Sequence, residues 1–361
     1  MKIVIDLRLI NASGIGTYLK NVIPGILGCF KQVIVLGNSN ELKKFEWSKK
    51  VEIIEFNAKI YSLEEQLLYP FIIPKCDFFW SPHFNVPLLG TRAKKKIVTI
   101  HDVNHLVGVS PISRIKKVYA FLLLKKAVNN SSIIFTVSQF SKSEIIKHTK
   151  VNPKKIKVVY CGVDASFYQK KTIEDGFKDF EDYILYVGNI KPHKNLIVLL
   201  KAYNSLSEEF KLKYKILIVG QKEGFITKDK QIDEFIITNK LEKHIVFTGY
   251  VDDLNLPKYY QQAALFVFPS LYEGFGLPVL EALAANTLVV SSNAASLKEV
   301  GGESVVYFDP NNPTELAEKM VNCLNSEDFK IRMSKFRDVQ LKKYTWLNSI
   351  SNHKFGFENI K

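Results

Sequence analysis

Two carboxylates eight residues apart, Glu273 and Glu281, open the chemical reading of this chain. They stand in Phe268-Pro-Ser-Leu-Tyr-Glu-Gly-Phe-Gly-Leu-Pro-Val-Leu-Glu-Ala-Leu-Ala-Ala285. The apolar run Leu265–Phe268 reads as a buried strand, Gly274 and Gly276 as a turn, and Pro278 as the first turn of a helix. Glu273 then lies in the loop and Glu281 in the helix, so both can face one pocket. Between them, the N–H groups of the turn Phe275-Gly276-Leu277-Pro278 meet the positive end of a helix dipole, which suits a phosphate. A loop carboxylate can accept bonds from sugar hydroxyls, and a helix carboxylate can hold a ribose diol bidentately. The plainer reading makes Glu281 a favourable charge near a helix start and Glu273 a surface residue. The glycine and proline arrangement argues for the pocket.

A diphosphate also needs cations. Tyr186-Val-Gly-Asn-Ile-Lys-Pro-His-Lys-Asn195 offers a strand, a glycine turn at Gly188-Asn189, then Lys191, His193 and Lys194 before a helix at Asn195. Charge placed at a strand end beside a helix start is what such a leaving group requires; a solvated basic turn is the plainer alternative. Gly14 and Gly16 follow the first strand and open a helix, where glycine lets a ligand come close. Leu19 stands where a dinucleotide fingerprint has its third glycine, so the pair is a weak signal and reads equally as two turn glycines. His101-Asp102 follows the apolar stretch ending at Ile100. The imidazole there can donate to a sugar hydroxyl or a carbonyl, and the carboxylate can orient an acceptor hydroxyl or take its proton. The competing reading has Asp102 capping the next turn. His105 does not complete a metal site, and no Asp-x-Asp follows a strand to hold Mg²⁺, so the expected chemistry is metal-independent.

Positioning these residues falls to alternating strands and helices. Strands are expected at Lys2–Asp6, Gln32–Leu36, Val51–Phe56, Phe78–Ser81, Lys96–His101, Ser132–Val137 and Ile156–Tyr160. Helices such as Gly16–Leu27 and Ser110–Asn129 lie between them. After the polar stretch Gln169–Asp182, read as a linker, a second series follows: Tyr183–Gly188, Lys215–Val219, Ile245–Thr248, Ala264–Phe268, Leu288–Ser291 and Val305–Phe308. Its helices fall near Asn195–Leu206, Lys230–Asn239, Leu256–Gln262, Pro278–Ala284 and Pro313–Leu324. The fold class is α/β, in two Rossmann-like domains with parallel sheets covered on both faces, and the cleft between facing domains is the expected site. A chain of 361 residues suits two domains of roughly 150–180 residues each.

The net charge of +14 is lopsided. Residues 1–165 hold 25 Lys/Arg against 11 Asp/Glu, whereas the remainder balances at 25 against 25. Such a field points to an anionic partner: a membrane surface, a polyanionic substrate or nucleic acid. Lys-rich solvated surface is the plainer source. Pro111–Lys126 combines Arg114, Lys116, Lys117, Lys125 and Lys126 with apolar residues, as a helix lying on an anionic bilayer would. No apolar run approaches membrane-spanning length. The start Met1–Asp6 reads as a strand rather than a signal peptide. Four scattered cysteines fit a reducing compartment better than a disulfide framework or a zinc site. A cytoplasmic enzyme, peripheral on the inner membrane face, is the expected localisation.

On these motifs the chain resembles glycosyltransferase family 4, whose fold is GT-B, over almost its whole length. Glu273 and Glu281 stand at the two positions of the family's E-x₇-E signature. The resemblance implies that Glu273 contacts donor-sugar hydroxyls and Glu281 the ribose. It likewise implies that Gly14 and Gly16 approach the diphosphate, that His101 touches the donor sugar, and that Phe247-Thr-Gly-Tyr250-Val251 meets the base. Thr136–Lys142 and Val159–Asp164 resemble the segments that close an N-terminal acceptor domain. That domain is expected at residues 1–167, completed by a C-terminal helix at 345–361, with a nucleotide-sugar domain at 168–344. One departure concerns the phosphate loop: relatives carry Arg where this chain has His193, or just after the glycine, where it has Asn189. Lys194 is kept and carries more of that task. The implied reaction is retaining hexosyl transfer by front-face substitution, from GDP-mannose or a UDP-sugar to a glycan or lipid-linked acceptor of cell-surface polysaccharide or lipopolysaccharide. The stretch His101-Asp102-Val-Asn-His105 resembles mannosyltransferase-like members. A nucleotide-sugar epimerase of the same fold is the alternative. A nucleic-acid-binding protein fits the charge but leaves the pocket around Glu273 unexplained, so nucleic acid is not an expected partner.

Overall fold

The computed structural model describes residues 1–107, 113–169, 182–220 and 230–360. Among these described residues thirteen strands appear where apolar β-branched runs call for them, each within three residues of the expected ends. The first seven are β1 (Lys2–Asp6), β2 (Gln32–Gly37), β3 (Glu52–Glu55), β4 (Cys76–Ser81), β5 (Ala93–Thr99), β6 (Ile133–Thr136) and β7 (Ile156–Val158). The rest are β8 (Tyr183–Val187), β9 (Lys215–Val219), β10 (Ile245–Gly249), β11 (Leu265–Phe268), β12 (Val289–Ser292) and β13 (Val306–Phe308). Central strands such as Leu265–Phe268 are buried along their whole length, as a parallel sheet covered by helices on both faces requires.

The chain divides into two compact units, Met1–Cys161 with Trp346–Lys361, and Gly162–Thr345. Each holds one parallel sheet, ordered β3-β2-β1-β4-β5-β6-β7 in the first and β10-β9-β8-β11-β12-β13 in the second. Both are doubly wound Rossmann-type sheets that reverse direction of growth once, between β1 and β4 and between β8 and β11. At such a reversal the loops beyond the strand ends part and leave room for a ligand. The linker expected at Gln169–Asp182 lies, from 170 to 181, outside the described residues, as do Ser110, Pro111 and Ile112 of one expected helix. Among the described residues no helix is long and apolar enough to cross a membrane.

The helix Trp346–Glu358 belongs to the first unit although it follows the second in the chain. His353 is wholly buried there. Its Nδ1 donates to the Ser349 carbonyl at 2.7 Å, so Nε2 accepts the Tyr18 hydroxyl proton at 2.5 Å. Burial pushes this imidazole down to about 4, and the ring stays neutral. Phe357 meets Phe30, Trp80 and Phe135 edge-on. At Gly356 the helix comes so close that a Cβ would stand 2.6 Å from a ring carbon of Phe135. In an exposed helix Gly→Ala stabilises. Here Gly356→Ala is expected to cost about 1–3 kcal/mol through overpacking, read as a fall of several degrees in calorimetric Tm.

Candidate functional site

In the second unit the loops beyond β8 and β11 are stitched together. β8 runs into Gly188, whose φ of +151° only glycine adopts readily, and whose N–H donates to the Val219 carbonyl. Pro192–Lys194 forms one tight helical turn. Asn195 then sits in left-handed backbone, φ +56°, ahead of the helix Leu196–Asn204. The expected helix start at Asn195 therefore moves by one residue, because Asn195 has another task. Its buried amide donates to the carbonyls of Pro269, beyond β11, at 3.1 Å and of Pro310 at 2.8 Å. The Leu271 N–H donates to the His193 carbonyl at 2.8 Å.

Those bonds set Lys194 against Glu273. Nζ donates to Oε1 at 2.7 Å, with both side chains less than a fifth exposed. The ammonium also lies 5.3 Å from the centre of the Phe268 ring. A half-buried ion pair is costly to break from one side, so each member fixes the other. His193 supplies no charge: burial, then Lys194, push it down to about 4. Positive charge in this loop therefore comes from lysine, and His193 offers a neutral imidazole where a cation was expected.

Ser296 clasps the turn after Glu273, donating to the carbonyls of Glu273 at 3.0 Å and Phe275 at 2.7 Å. Phe275 is buried against Tyr344, so its contribution to a ligand can only come from the backbone. Gly276 has φ +111° and leads into the helix Leu277–Ala284, which starts with Pro278 in its first turn and has no side-chain cap. One turn on, Glu281 Oε2 accepts the Tyr260 hydroxyl at 2.9 Å. Burial pushes this carboxyl up to about 7, the Tyr260 bond opposing and Asp253 and Asp164 reinforcing the rise. Tyr250, just past β10, is 71% exposed and presents its ring to solvent.

In the first unit, Gly14 and Gly16 lie inside the helix Ser13–Ile26, which begins earlier than expected. The two glycines differ: a Cβ on Gly16 would press on the Ile10 carbonyl at 2.5 Å, whereas Gly14 is exposed with open space around it. Gly16 thus has a packing reason of its own. His101 stands two residues past β5, and its backbone carbonyl accepts the Ser141 hydroxyl. Its Nε2 donates to the Pro82 carbonyl at 3.0 Å, so the donation expected of this ring goes to a carbonyl of the protein and Nδ1 is left as an acceptor. Burial lowers its pKa below the ordinary histidine value. Asp102 Oδ1 accepts the Asn104 N–H at 2.9 Å, capping the next turn.

Sequence reasoning passed over Asn195, Tyr260 and Ser296, and in the first unit Asp6, Arg8 and Glu65. Of these, only Asn195 carried a local signal, as an amide between a basic turn and a helix. Among the described residues no group of three or more His, Cys, Asp or Glu is placed to hold a metal. Removing the Asn195 amide strands two carbonyls. Asn195→Ala is expected to cost about 2–3 kcal/mol in urea unfolding, and an unchanged midpoint would refute the stitching role.

Residues 168–337 match the family model described as "Glycosyl transferases group 1", and residues 69–167 the one described as "Glycosyltransferase Family 4". The O-antigen chain mannosyltransferase B of Escherichia coli is 29% identical over 278 residues, covering 75% of this chain and 71% of that protein. The serotype-specific mannosyltransferase WbdA of Escherichia coli is 26% identical over 278 residues, and this chain spans about a third of its length, 34%. The crystal structure of Anabaena Alr3699/HepE in complex with UDP and glucose superimposes with a TM-score of 0.79 at 18% identity, covering 99% of this chain and 100% of that one. At that identity the likeness is one of fold.

Proposed function

Because the chain belongs to glycosyltransferase family 4, we propose that it is a retaining enzyme moving a hexose from a nucleotide diphosphate sugar to a glycan or lipid-linked acceptor of cell-surface polysaccharide or lipopolysaccharide. The observation that carries this reading is the Lys194–Glu273 pair, fixed beside an uncapped helix start that has Glu281 in its next turn. Lys194 and the N–H groups at Gly276 and Leu277 hold the diphosphate, with Gly188, Asn189 and neutral His193 shaping the loop. Glu273 accepts from sugar hydroxyls, Glu281 from the ribose, and Tyr250 stacks on the base. In the first unit, His101 has Nδ1 available to accept a sugar hydroxyl, and Gly14 stands beside open space. The named mannosyltransferase relatives favour mannose, hence GDP-mannose, over a UDP-sugar.

A carboxylate already gripped by an ammonium is a weak nucleophile, so the chemistry falls to the donor itself. A β-phosphate oxygen takes the acceptor hydroxyl proton as the bond from C1 to that phosphate breaks. The acceptor oxygen bonds to C1 on the same face. The protein works by positioning and by stabilising the departing negative charge.

Glu281 makes this testable. Ribose hydroxyls bind the ionised carboxylate better than the acid, and its raised pKa leaves it mostly protonated below pH 7. Nucleotide affinity should therefore rise about tenfold from pH 6 to pH 8, flattened in Glu281→Gln, by calorimetric titration with a panel of nucleotide sugars. A panel with no binder at any pH would sink the donor reading.

We also place the first unit on an anionic bilayer. Ile115, Val118 and Leu122 are exposed along the helix Arg114–Asn130 among Lys116, Lys117, Lys125 and Lys126, and Leu63, Leu67 and Phe71 are exposed along Leu63–Ile72. Apolar stripes with flanking lysines suit a headgroup boundary. Co-sedimentation with liposomes containing anionic lipid, lost at high salt and in Ile115→Asp/Val118→Asp, is the expected result. Equal recovery in the supernatant with and without liposomes contradicts it.

A further inference from the structure

The ends of β1 and β4 mark the reversal point of the first sheet, and a cluster of charged and aromatic side chains gathers there. Arg8, two residues past β1, donates to Asp6 at 2.5 Å and to Glu65 at 2.6 Å, both of them buried. Glu65 turns its other oxygen to the backbone N–H of Tyr61 at 3.0 Å. That bond helps hold Tyr61 at φ +68°, left-handed backbone that a bulky residue adopts only under constraint. The residue is 45% exposed overall, and its ring meets those of His83 and Phe84.

His83 sets the tyrosine hydroxyl. Its Nδ1 accepts the Asn85 N–H at 3.3 Å. Burial, then His101, His105 and Arg8, push it down to about 3, so the ring is neutral with its proton on Nε2. That proton is donated to Tyr61 Oη at 3.2 Å. With Oη accepting, the Tyr61 O–H proton is left for a further acceptor. The cluster offers no positive charge to a ligand, because Arg8 is taken up by two carboxylates and His105 is held neutral, near 4.

We infer that Tyr61, oriented by His83 and anchored by Glu65, binds an uncharged sugar ring of the acceptor, which lies on the tyrosine face and accepts its hydroxyl proton. This rests on the glycosyltransferase reading above and names what the first unit recognises. Two buried carboxylates against one guanidinium disfavour a phosphate at this point, so the acceptor's charged or lipid end, where it has one, lies elsewhere.

The test uses the full chain and neutral disaccharides (α-mannobiose, maltose and lactose), followed by saturation-transfer NMR, with ethyl phosphate as charged comparison. At least one disaccharide should saturate the wild type, and ethyl phosphate should not compete. Tyr61→Phe keeps the ring and loses the donor, weakening binding about two- to tenfold. Tyr61→Gly suits the left-handed backbone, so it should melt no lower than wild type while losing the disaccharide signal. A tyrosine kept for packing alone would show the reverse. Equal disaccharide binding in Tyr61→Gly and wild type, no binding to wild type, or displacement by ethyl phosphate would each overturn the subsite. Nucleotide binding in the same samples is scored separately: its loss would defeat the donor reading, while the disaccharide arm still decides this one.

Discussion

Among the described residues every pair of named strands is parallel, and most of the molecule follows from that constraint. Parallel strands cannot be joined by tight hairpins, so each return passes through a helix or a long connection. All the strand ends that carry loops of one kind are thereby gathered along a single edge. Where the order reverses, between β8 and β11, the two neighbouring loops diverge from a common strand pair. Lys194 comes from one and Glu273 from the other. Their ion pair is a direct product of topology: no local sequence rule brings residues 79 apart to 2.7 Å.

Burial then decides what these loops can offer. In the first unit it holds His83, His101 and His105 neutral, and in the second it does the same to His193. Neutral imidazoles have one donor and one acceptor each, and protein groups take part of that capacity. His101 keeps only Nδ1 for a ligand, whereas both nitrogens of His83 are spent on Asn85 and Tyr61. Charge is carried instead by lysine and carboxylate in the second unit and by a closed Arg8–Asp6–Glu65 network in the first. The two reversal points thus differ in chemistry although their sheets share an order.

The strands were legible because residues such as Ile3–Ile5 and Leu265–Phe268 are apolar on successive positions, the mark of burial on both faces. The turn at Gly276 and the helix at Pro278 were legible because glycine and proline have few other uses in that arrangement. What escaped was tertiary. Tyr260 reaches Glu281 from another helix, Ser296 clasps a turn more than twenty residues earlier in the chain, and Asn195 bridges to Pro310 across 115 positions. Tyr61 carries no sequence signal, because neither its backbone angle nor its bond to Glu65 has a local signature. Gly16 by its type suits ligand approach, and the packing against the Ile10 carbonyl that also requires glycine there has no local signature.

The helix Trp346–Glu358 has a consequence for how the protein comes to exist. It supplies Phe357 and His353 to the ring cluster around Tyr18, Trp80 and Phe135, yet it is translated after the whole of the second unit. During synthesis the first sheet can form early, but that aromatic face stays bare while the ribosome adds Gly162–Thr345. The second unit, contiguous in sequence, can finish folding first. The unit begun earliest is sealed last, and for that interval its exposed rings are a surface that molecular chaperones can bind.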